Sequence, residues 1–358
     1  MKKILTVVGT RPELIRLSRI IPKLDQVCQH ILIHTGQNHN PLLKDIFFEE
    51  LNIRPPNYYL KIDNQLPLWL RIGEMLNQVE KILIQEKPDK VLILGDTYSG
   101  LSAIVSERLQ IPVYHCEAGN RSYSKEVPEE INRQIIDHIS SYNLPYTQRS
   151  KQNLLLEGLP LRKIYVTGNP IKEVLDYYNE EIEQSNILEK LNLTPKKYFL
   201  STFHRFENVD NPERLNEIIE GLNKITSYYH HPIIISTHPH TRNKLKDSFS
   251  NDYLKFLDPM GFFDFVKLEK NALCVLSDSG TVPEETTILR IPSIILRNET
   301  ERPEILDVGS SILSGINRDK IFSCTEQVIN SPTNWELPEN YDKDNVSQTV
   351  INILMSKI

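Results

Sequence analysis

Short hydrophobic runs that stop at a glycine or polar turn and give way to helical periodicity recur along the whole chain. Such a repeat builds parallel sheets flanked by helices, because each parallel crossover needs a helix to bring the chain back. In the first half, Ile4 to Val8 runs into Gly9-Thr10-Arg11-Pro12, and Ile31 to His34 into Thr35-Gly36-Gln37. Val91 to Leu94 runs into Gly95-Asp96-Thr97, Val113 to Cys116 into Glu117-Ala118-Gly119, and Ile164 to Thr167 into Gly168-Asn169-Pro170. The pattern restarts with Tyr198 to Thr202 before His204-Arg205 and continues through Ile233 to Thr237. Cys274 to Ser277 then precedes Asp278-Ser279-Gly280, and Ser293 to Leu296 precedes Arg297. With 358 residues, at about 150 residues per domain, the chain reads as two α/β domains, each a parallel open sheet flanked by helices.

The boundary falls in the acidic stretch from Tyr177 to Lys197, which has no strand signature and reads as a solvated linker helix. The expected domains are residues 1–176 and 177–342, with a helix over 343–358 packing back on the first. No repeat of short period and no low-complexity tract interrupts this pattern.

Composition narrows the partners. The formal net charge is −6, without a basic stripe, which argues against nucleic acid. No apolar run approaches the roughly 18 residues needed to cross a bilayer. Met1-Lys2-Lys3 leads into a strand rather than a signal segment, so no membrane partner and a cytoplasmic location are expected. Cys28, Cys116, Cys274 and Cys324 are far apart, with no zinc-like spacing, so reduced thiols and no metal are expected. The GxGxxG fingerprint is absent from every strand end, which counts against a bound nicotinamide. Glycine is scarce, 13 against 22 prolines, so each glycine that follows a strand is informative.

In open α/β sheets, ligands sit beyond the carboxyl ends of the strands. Arg11, Gln37, Asp96, Glu117, His204, Ser279 and Arg297 all stand at such ends, and two domains facing each other would gather them around one cleft. Arg11, beside a helix start that contains Pro12, suits a phosphate or carboxylate, or a salt bridge with Glu13. Ser279-Gly280-Thr281 could hold a diphosphate on its amides, or cap a helix whose Glu284 and Glu285 complement the dipole. Asp96, Glu117, Glu129 and Glu130 offer carboxylates for acid/base work at carbon. The structural alternative, favoured for Glu130, is capping with a Glu129–Arg133 ion pair. Asp96 and Glu117 at the ends of buried strands are expensive unless paired or used. His30, His115, His138, His230 and His231 read as core or surface, and Phe262, Phe263 and Phe265 as packing.

The motifs GTRPELIRL, HTGQ, GDTYS, EAGNR, VPEEINR, VTGNP, FHRFEN, DSGTVPEE and ERPE, in this order from Lys3 to about Gly309, resemble the non-hydrolysing UDP-N-acetylglucosamine 2-epimerases. The resemblance implies a GT-B fold of two Rossmann-like domains with an interdomain cleft, a homodimer, no cofactor and no metal. It implies elimination of UDP to 2-acetamidoglucal and re-addition after the proton on the sugar's second carbon has changed face, serving surface-polysaccharide synthesis. It carries over Arg11, His204 and the Ser279-Gly280-Thr281 turn for the diphosphate, and Glu285 for the ribose. Asp96, Glu117 and Glu129 become the acid/base set, with His204 counted among the catalytic residues and Arg133 orienting Glu129. Arg16, Arg205 and Arg302 join the substrate-binding set.

The chain departs from the family pattern at Arg16, where lysine is common, at Thr281, where a second glycine is common, and at Pro283, where glutamine is common. Asn38-His39-Asn40 differs from members activated by a second UDP-sugar, so that regulatory site is not expected. EAGNR, VPEEINR, MGFFDF and DSGT are closer to a branch acting on UDP-2-acetamido-2,6-dideoxyhexoses toward UDP-N-acetyl-L-fucosamine. That branch stays open, as do a glycosyltransferase of the same fold, a hydrolysing epimerase and a nucleotide-sugar binder without catalysis.

Overall fold

The computed structural model describes residues 1–37, 41–63, 65–124, 126–245 and 251–357. Asn38-His39-Asn40 lies outside them. The chain divides into two compact units, one formed by Met1–Asp176 with the segment from Glu339 onward, the other by Tyr177–Pro338.

The first unit is a parallel sheet of β1 (Lys3–Val8), β2 (Gln29–His34), β3 (Tyr58–Tyr59), β4 (Lys90–Leu94), β5 (Val113–Cys116) and β6 (Tyr142–Leu144). Its order is β3-β2-β1-β4-β5-β6, with Leu5 in register with Ile31 on one side and Val91 on the other. The strands are apolar on both faces because helices cover both. Val7, Ile33, Val91 and Ile93 pack with Met75, Val79 and Leu83 of the Leu68–Glu86 helix. The Val346–Met355 helix packs on the Ile20–Val27 helix. It is tied there by Lys23 Nζ to Ser347 Oγ at 2.6 Å and by Ser347 N to Glu173 at 2.7 Å.

The second unit repeats the topology with β7 (Phe199–Thr202), β8 (Ile233–Ser236), β9 (Leu254–Leu257), β10 (Val275–Ser277), β11 (Ser293–Ile295) and β12 (Ser311–Leu313). The order is β12-β11-β10-β7-β8-β9, again all parallel. Ile218, Leu222 and Ile225 of the Pro212–Tyr229 helix cover one face of this sheet, and Val266 and Leu268 lie buried on the Phe262–Asn271 helix.

Two expectations change. Ile164 to Thr167 is not a strand: it makes a single bridge, Asn143 to Ile164, and then follows β6 as a loop whose amides donate to Pro145 and Tyr146. The Tyr177–Lys197 stretch is not one solvated helix. It contains short helices at Asn179–Gln184 and Ile187–Lys190, and Glu183 pairs with Lys267 and Lys270 of the Phe262–Asn271 helix. Phe262 and Phe263 pack around Tyr178, as packing residues should. Among the described residues no helix is long and apolar enough to cross a membrane.

Leu354 is fully buried on the C-terminal helix. Leu354→Ala should therefore cost about 2 to 5 kcal/mol of stability, read as a lower urea midpoint. An unchanged midpoint would remove that helix from the core of the first unit.

Candidate functional site

In the first sheet the strand order reverses between β1 and β4, and the loops leaving those strands open the crevice that such a reversal creates. Three loops are clamped together there. A Cβ on Gly9 would stand 2.1 Å from Ser99 Oγ and 2.2 Å from Thr35 Oγ1, so only glycine fits. Thr35 Oγ1 and Ser99 Oγ are themselves hydrogen-bonded at 2.8 Å. Glu13, in the first turn of the Arg11–Leu17 helix, accepts from Gly9 N (2.5 Å), Thr10 N (3.2 Å) and Thr97 Oγ1 (2.6 Å). Glu13 is thus used locally, and Arg11 has no acidic partner among the described residues. Its guanidinium lies 5.8 Å from the Phe47 ring, and desolvation lowers its pKa, a setting that an arriving anion would relieve.

Asp96, Glu117 and Glu130 have arginine partners. Arg16, at 3% exposure, forms an ion pair with Glu117, at 8%. Glu117 directly follows β5 with φ of +69°, the left-handed region that costs a side-chain-bearing residue strain and that clusters at functional sites. Arg133 donates to Asp96 Oδ2 through Nε (2.9 Å) and Nη2 (2.5 Å), and to Glu130 through Nη1 (2.9 Å). Arg133 thus bridges Asp96 and Glu130, in addition to the pairing with Glu129 that sequence spacing suggests. Glu130 also accepts from Ser122 N and Tyr123 N, so it holds the loop before its helix, in line with its structural reading. Glu129 is half-buried in the first turn of the Pro128–Ile139 helix, and its charge raises the pKa of Tyr98 after burial has done so.

Beneath Glu117 lies a network the sequence did not reveal. His115 is a core residue, with Nδ1 at 2.8 Å from Asp137 and Nε2 at 2.9 Å from the Gly95 carbonyl. Asp137 also accepts from Gly119 N (3.1 Å) and pairs with Arg121 (2.7 Å), which in turn pairs with Glu157 (2.6 Å). Burial would raise the Asp137 pKa, but His115 and Arg121 outweigh it and hold the carboxyl below its usual range. The network fixes the backbone on which Glu117 stands.

In the second unit the reversal falls between β7 and β10. Asp278, fully buried, accepts from His204 N (3.0 Å), Arg205 N (3.0 Å) and Asn208 Nδ2 (3.1 Å). Its own carbonyl accepts from Arg205 Nε at 2.9 Å. This carboxylate, which sequence reasoning left out of the site, locks the basic loop beside the Ser279-Gly280-Thr281 turn. Position alone could have flagged it, since it is the first residue after a buried strand. Arg205 Nη2 lies 3.6 Å from Glu301, and a Cβ on Gly280 would stand 2.6 Å from the same carboxylate. Within the turn, Ser279 N donates to Ser277 Oγ (3.0 Å) and Thr281 N to Ser279 Oγ (3.2 Å). Two of the three amides expected to meet a diphosphate therefore already have hydroxyl acceptors.

Arg302, expected at substrate, is buried with its Nε donating to Glu284 at 2.7 Å. Glu285, expected at the ribose, starts the Val282–Leu289 helix and faces a second carboxyl, Glu269. Glu269 is fully buried, and desolvation first, then the Glu285 charge and hydrogen bond, raise its pKa well above the carboxylate range. Among the described residues no cluster of three or more His, Cys, Asp and Glu could hold a metal ion.

Desolvation raises the Glu13 pKa to about 7 in spite of its donors. The folded chain then binds more protons than the unfolded one between the ordinary value of 4.5 and about 7, so stability falls as pH rises across that window. Glu13→Gln removes the titration, and unfolding free energies measured at about pH 5 and about pH 7.5 should fall less in the variant than in the parent. An identical fall in both would assign the pH dependence to other groups.

A profile of the UDP-N-acetylglucosamine 2-epimerase family matches residues 23–355. The UDP-N-acetylglucosamine 2-epimerase of Methanocaldococcus jannaschii is 42% identical over 364 residues, covering 98% of each chain. Its solved structure in complex with UDP-GlcNAc and UDP superposes with a TM-score of 0.93 over 98% of this chain and 99% of that one. The UDP-2,3-diacetamido-2,3-dideoxy-D-glucuronate 2-epimerase of Pseudomonas aeruginosa is 33% identical over 324 residues, 89% of this chain and 90% of that protein. The fold is accordingly α/β, with two Rossmann-like units of the GT-B class, and the chain belongs to the UDP-N-acetylglucosamine 2-epimerase family of isomerases.

Proposed function

We propose that this protein is a non-hydrolysing 2-epimerase that interconverts UDP-N-acetylglucosamine and UDP-N-acetylmannosamine. The observation that carries the reading is a strained, buried Glu117 held by Arg16, beside an Asp96 held by Arg133, at one strand-order reversal. A module that only bound a nucleotide sugar would have no use for carboxylates kept at such cost.

The proton on the sugar's second carbon is not adjacent to a carbonyl, so a side-chain base removes it only as the diphosphate leaves. The bond from the anomeric carbon to the UDP oxygen breaks with its electron pair going to UDP. The C2–H electrons become the new C1–C2 double bond, and a carboxylate takes the proton. Return of the UDP oxygen to the anomeric carbon, with a proton delivered to the opposite face of the second carbon, completes the epimerisation. Asp96, Glu117 and Glu129 are the groups for these proton transfers. Arg11, His204, Arg205 and the Ser279-Gly280-Thr281 turn offset the charge of the departing UDP. Glu285 takes the ribose hydroxyls, beside the buried Glu269 carboxyl. Arg16 and Arg302 support this set through Glu117 and Glu284.

UDP-N-acetylglucosamine is preferred over the 6-deoxy sugars because relatives matching nearly the whole chain carry its name. On the same reading the enzyme acts in the cytoplasm as a homodimer and supplies surface-polysaccharide synthesis. Self-association is supported by exposed Ile131, Ile135, Leu155 and Leu156 on the Pro128–Ile139 and Gln148–Leu156 helices.

Glu117→Gln should lower kcat for the UDP-N-acetylglucosamine to UDP-N-acetylmannosamine conversion by about a thousandfold or more, followed by anion-exchange chromatography. UDP affinity, measured by calorimetry, should stay within about threefold of the parent, since 1.4 kcal/mol is needed for a tenfold change. Parent-like turnover in the variant would remove Glu117 from the chemistry.

A further inference from the structure

Arg16 meets two buried groups that come from other parts of the chain. Its Nη1 pairs with Glu117, and its guanidinium carbon lies over the ring of Tyr146, 5.9 Å from the centroid. Tyr146 stands two residues beyond the end of β6 and is buried, as are Arg16 and Glu117. The ring quadrupole attracts a cation over its face, and the attraction grows when both are desolvated.

The ring and the carboxylate are braced to each other. Thr147 caps the Gln148–Leu156 helix by accepting from Ser150 N at 3.1 Å. Ser150 Oγ then donates to Asn120 Oδ1 (2.8 Å) and Asn153 Nδ2 to the Gly119 carbonyl (2.9 Å), so the helix that follows Tyr146 grips the loop that carries Glu117. On the other side, Thr167 N and Gly168 N donate to the carbonyls of Pro145 (3.0 Å) and Tyr146 (3.1 Å). Asn169 N donates to the Asn340 carbonyl (3.0 Å), which ties that turn to the returning C-terminal segment of the same unit. Arg16, carried by the separate Arg11–Leu17 helix, thus enters a seat whose two sides are already set.

We propose that Tyr146 is a positioning residue for the reaction, its ring seating the Arg16 guanidinium so that the cation stays on Glu117 throughout proton transfer. This assignment rests on the reading of Glu117 as an acid/base group. When Glu117 takes the sugar's proton it loses its charge, and Arg16 loses part of what stabilised it. The attraction of the ring does not depend on that proton, so it holds the guanidinium while the carboxyl is neutral. A guanidinium is planar and weakly hydrated, with an edge for a carboxylate and a face for a ring, whereas a lysine ammonium is a compact, strongly hydrated point charge that cannot serve both neighbours in this way.

Steady-state kinetics of the parent, Tyr146→Phe, Tyr146→Leu, Arg16→Lys and the Tyr146→Leu/Arg16→Lys double variant test it. They are paired with the Arg16 Nε–H signal of protein labelled with nitrogen-15 arginine, assigned by its loss in Arg16→Lys. Tyr146→Leu should lower kcat about tenfold with KM within about twofold of the parent, while Tyr146→Phe, which keeps the ring, should hold kcat within about twofold. On the Arg16→Lys background Tyr146→Leu should add nothing further, as expected of residues that act through one contact. The Arg16 signal, displaced by the ring current, should move in Tyr146→Leu and stay in place in Tyr146→Phe. Tyr146→Met fills the space without a ring and replaces the leucine variant if that one fails to fold. Parent-like kcat in the ringless variant, equal losses in Tyr146→Phe and Tyr146→Leu, or additive losses in the double variant would overturn the assignment. A signal that moves as expected in a protein whose parent does not turn over UDP-N-acetylglucosamine would uphold the seating of Arg16 and overturn the epimerase reading.

Discussion

The ion pair between Arg16 and Glu117 is the contact on which the first unit's site depends. Both groups are removed from water, and Glu117 is held in a left-handed backbone conformation that residues other than glycine adopt uncommonly. Removing either partner takes an opposing charge away from a buried group, which costs far more than replacing the whole pair by apolar side chains. The loop can carry this strain because the layer below is rigid. His115, Asp137, Arg121 and Glu157 form one continuous polar network, and Gly119, at φ of +80°, packs so closely on Ser150 that a Cβ would stand 2.2 Å from its carbonyl oxygen.

The second unit reaches the same end by a different device. Its basic loop is fixed by backbone donors converging on one carboxylate, Asp278, rather than by paired side chains. That leaves the His204 side chain partly exposed at the reversal point of the sheet. The two units share one topology but present opposite chemistry, carboxylates held by arginines in one and a basic loop beside a small-residue turn in the other. Epimerisation through loss and return of UDP calls for both, since proton removal at carbon depends on stabilising the group that leaves.

Much of the fold was legible because buried parallel strands are written as uninterrupted Val, Ile and Leu runs that end at glycine or polar turns. The strands that escaped, such as Tyr58–Tyr59, Leu254–Leu257 and Ser311–Leu313, are short edge strands with partly exposed side chains, and local sequence gives them no distinct period. Ile164 to Thr167 misled for the converse reason: it has strand-like residues but forms only one bridge and follows β6 as a loop. At the site, position was legible and partnership was not. Asp96, Glu117 and His204 stand where strand ends predict, yet Glu117 for Arg16, Asp96 for Arg133 and Glu284 for Arg302 come from distant turns of the chain. Glu269 is the extreme case, a carboxyl on an amphipathic helix that gains meaning only once packing places it against Glu285.

The central claim is that the proton on the sugar's second carbon is lost to a carboxylate and replaced from the protein and its solvent. Incubating the enzyme with UDP-N-acetylglucosamine in heavy water and following the second-carbon proton by NMR tests it most directly. The account predicts loss of that signal from both epimers as they interconvert, with deuterium in its place. Interconversion with the original proton retained in the product would contradict it.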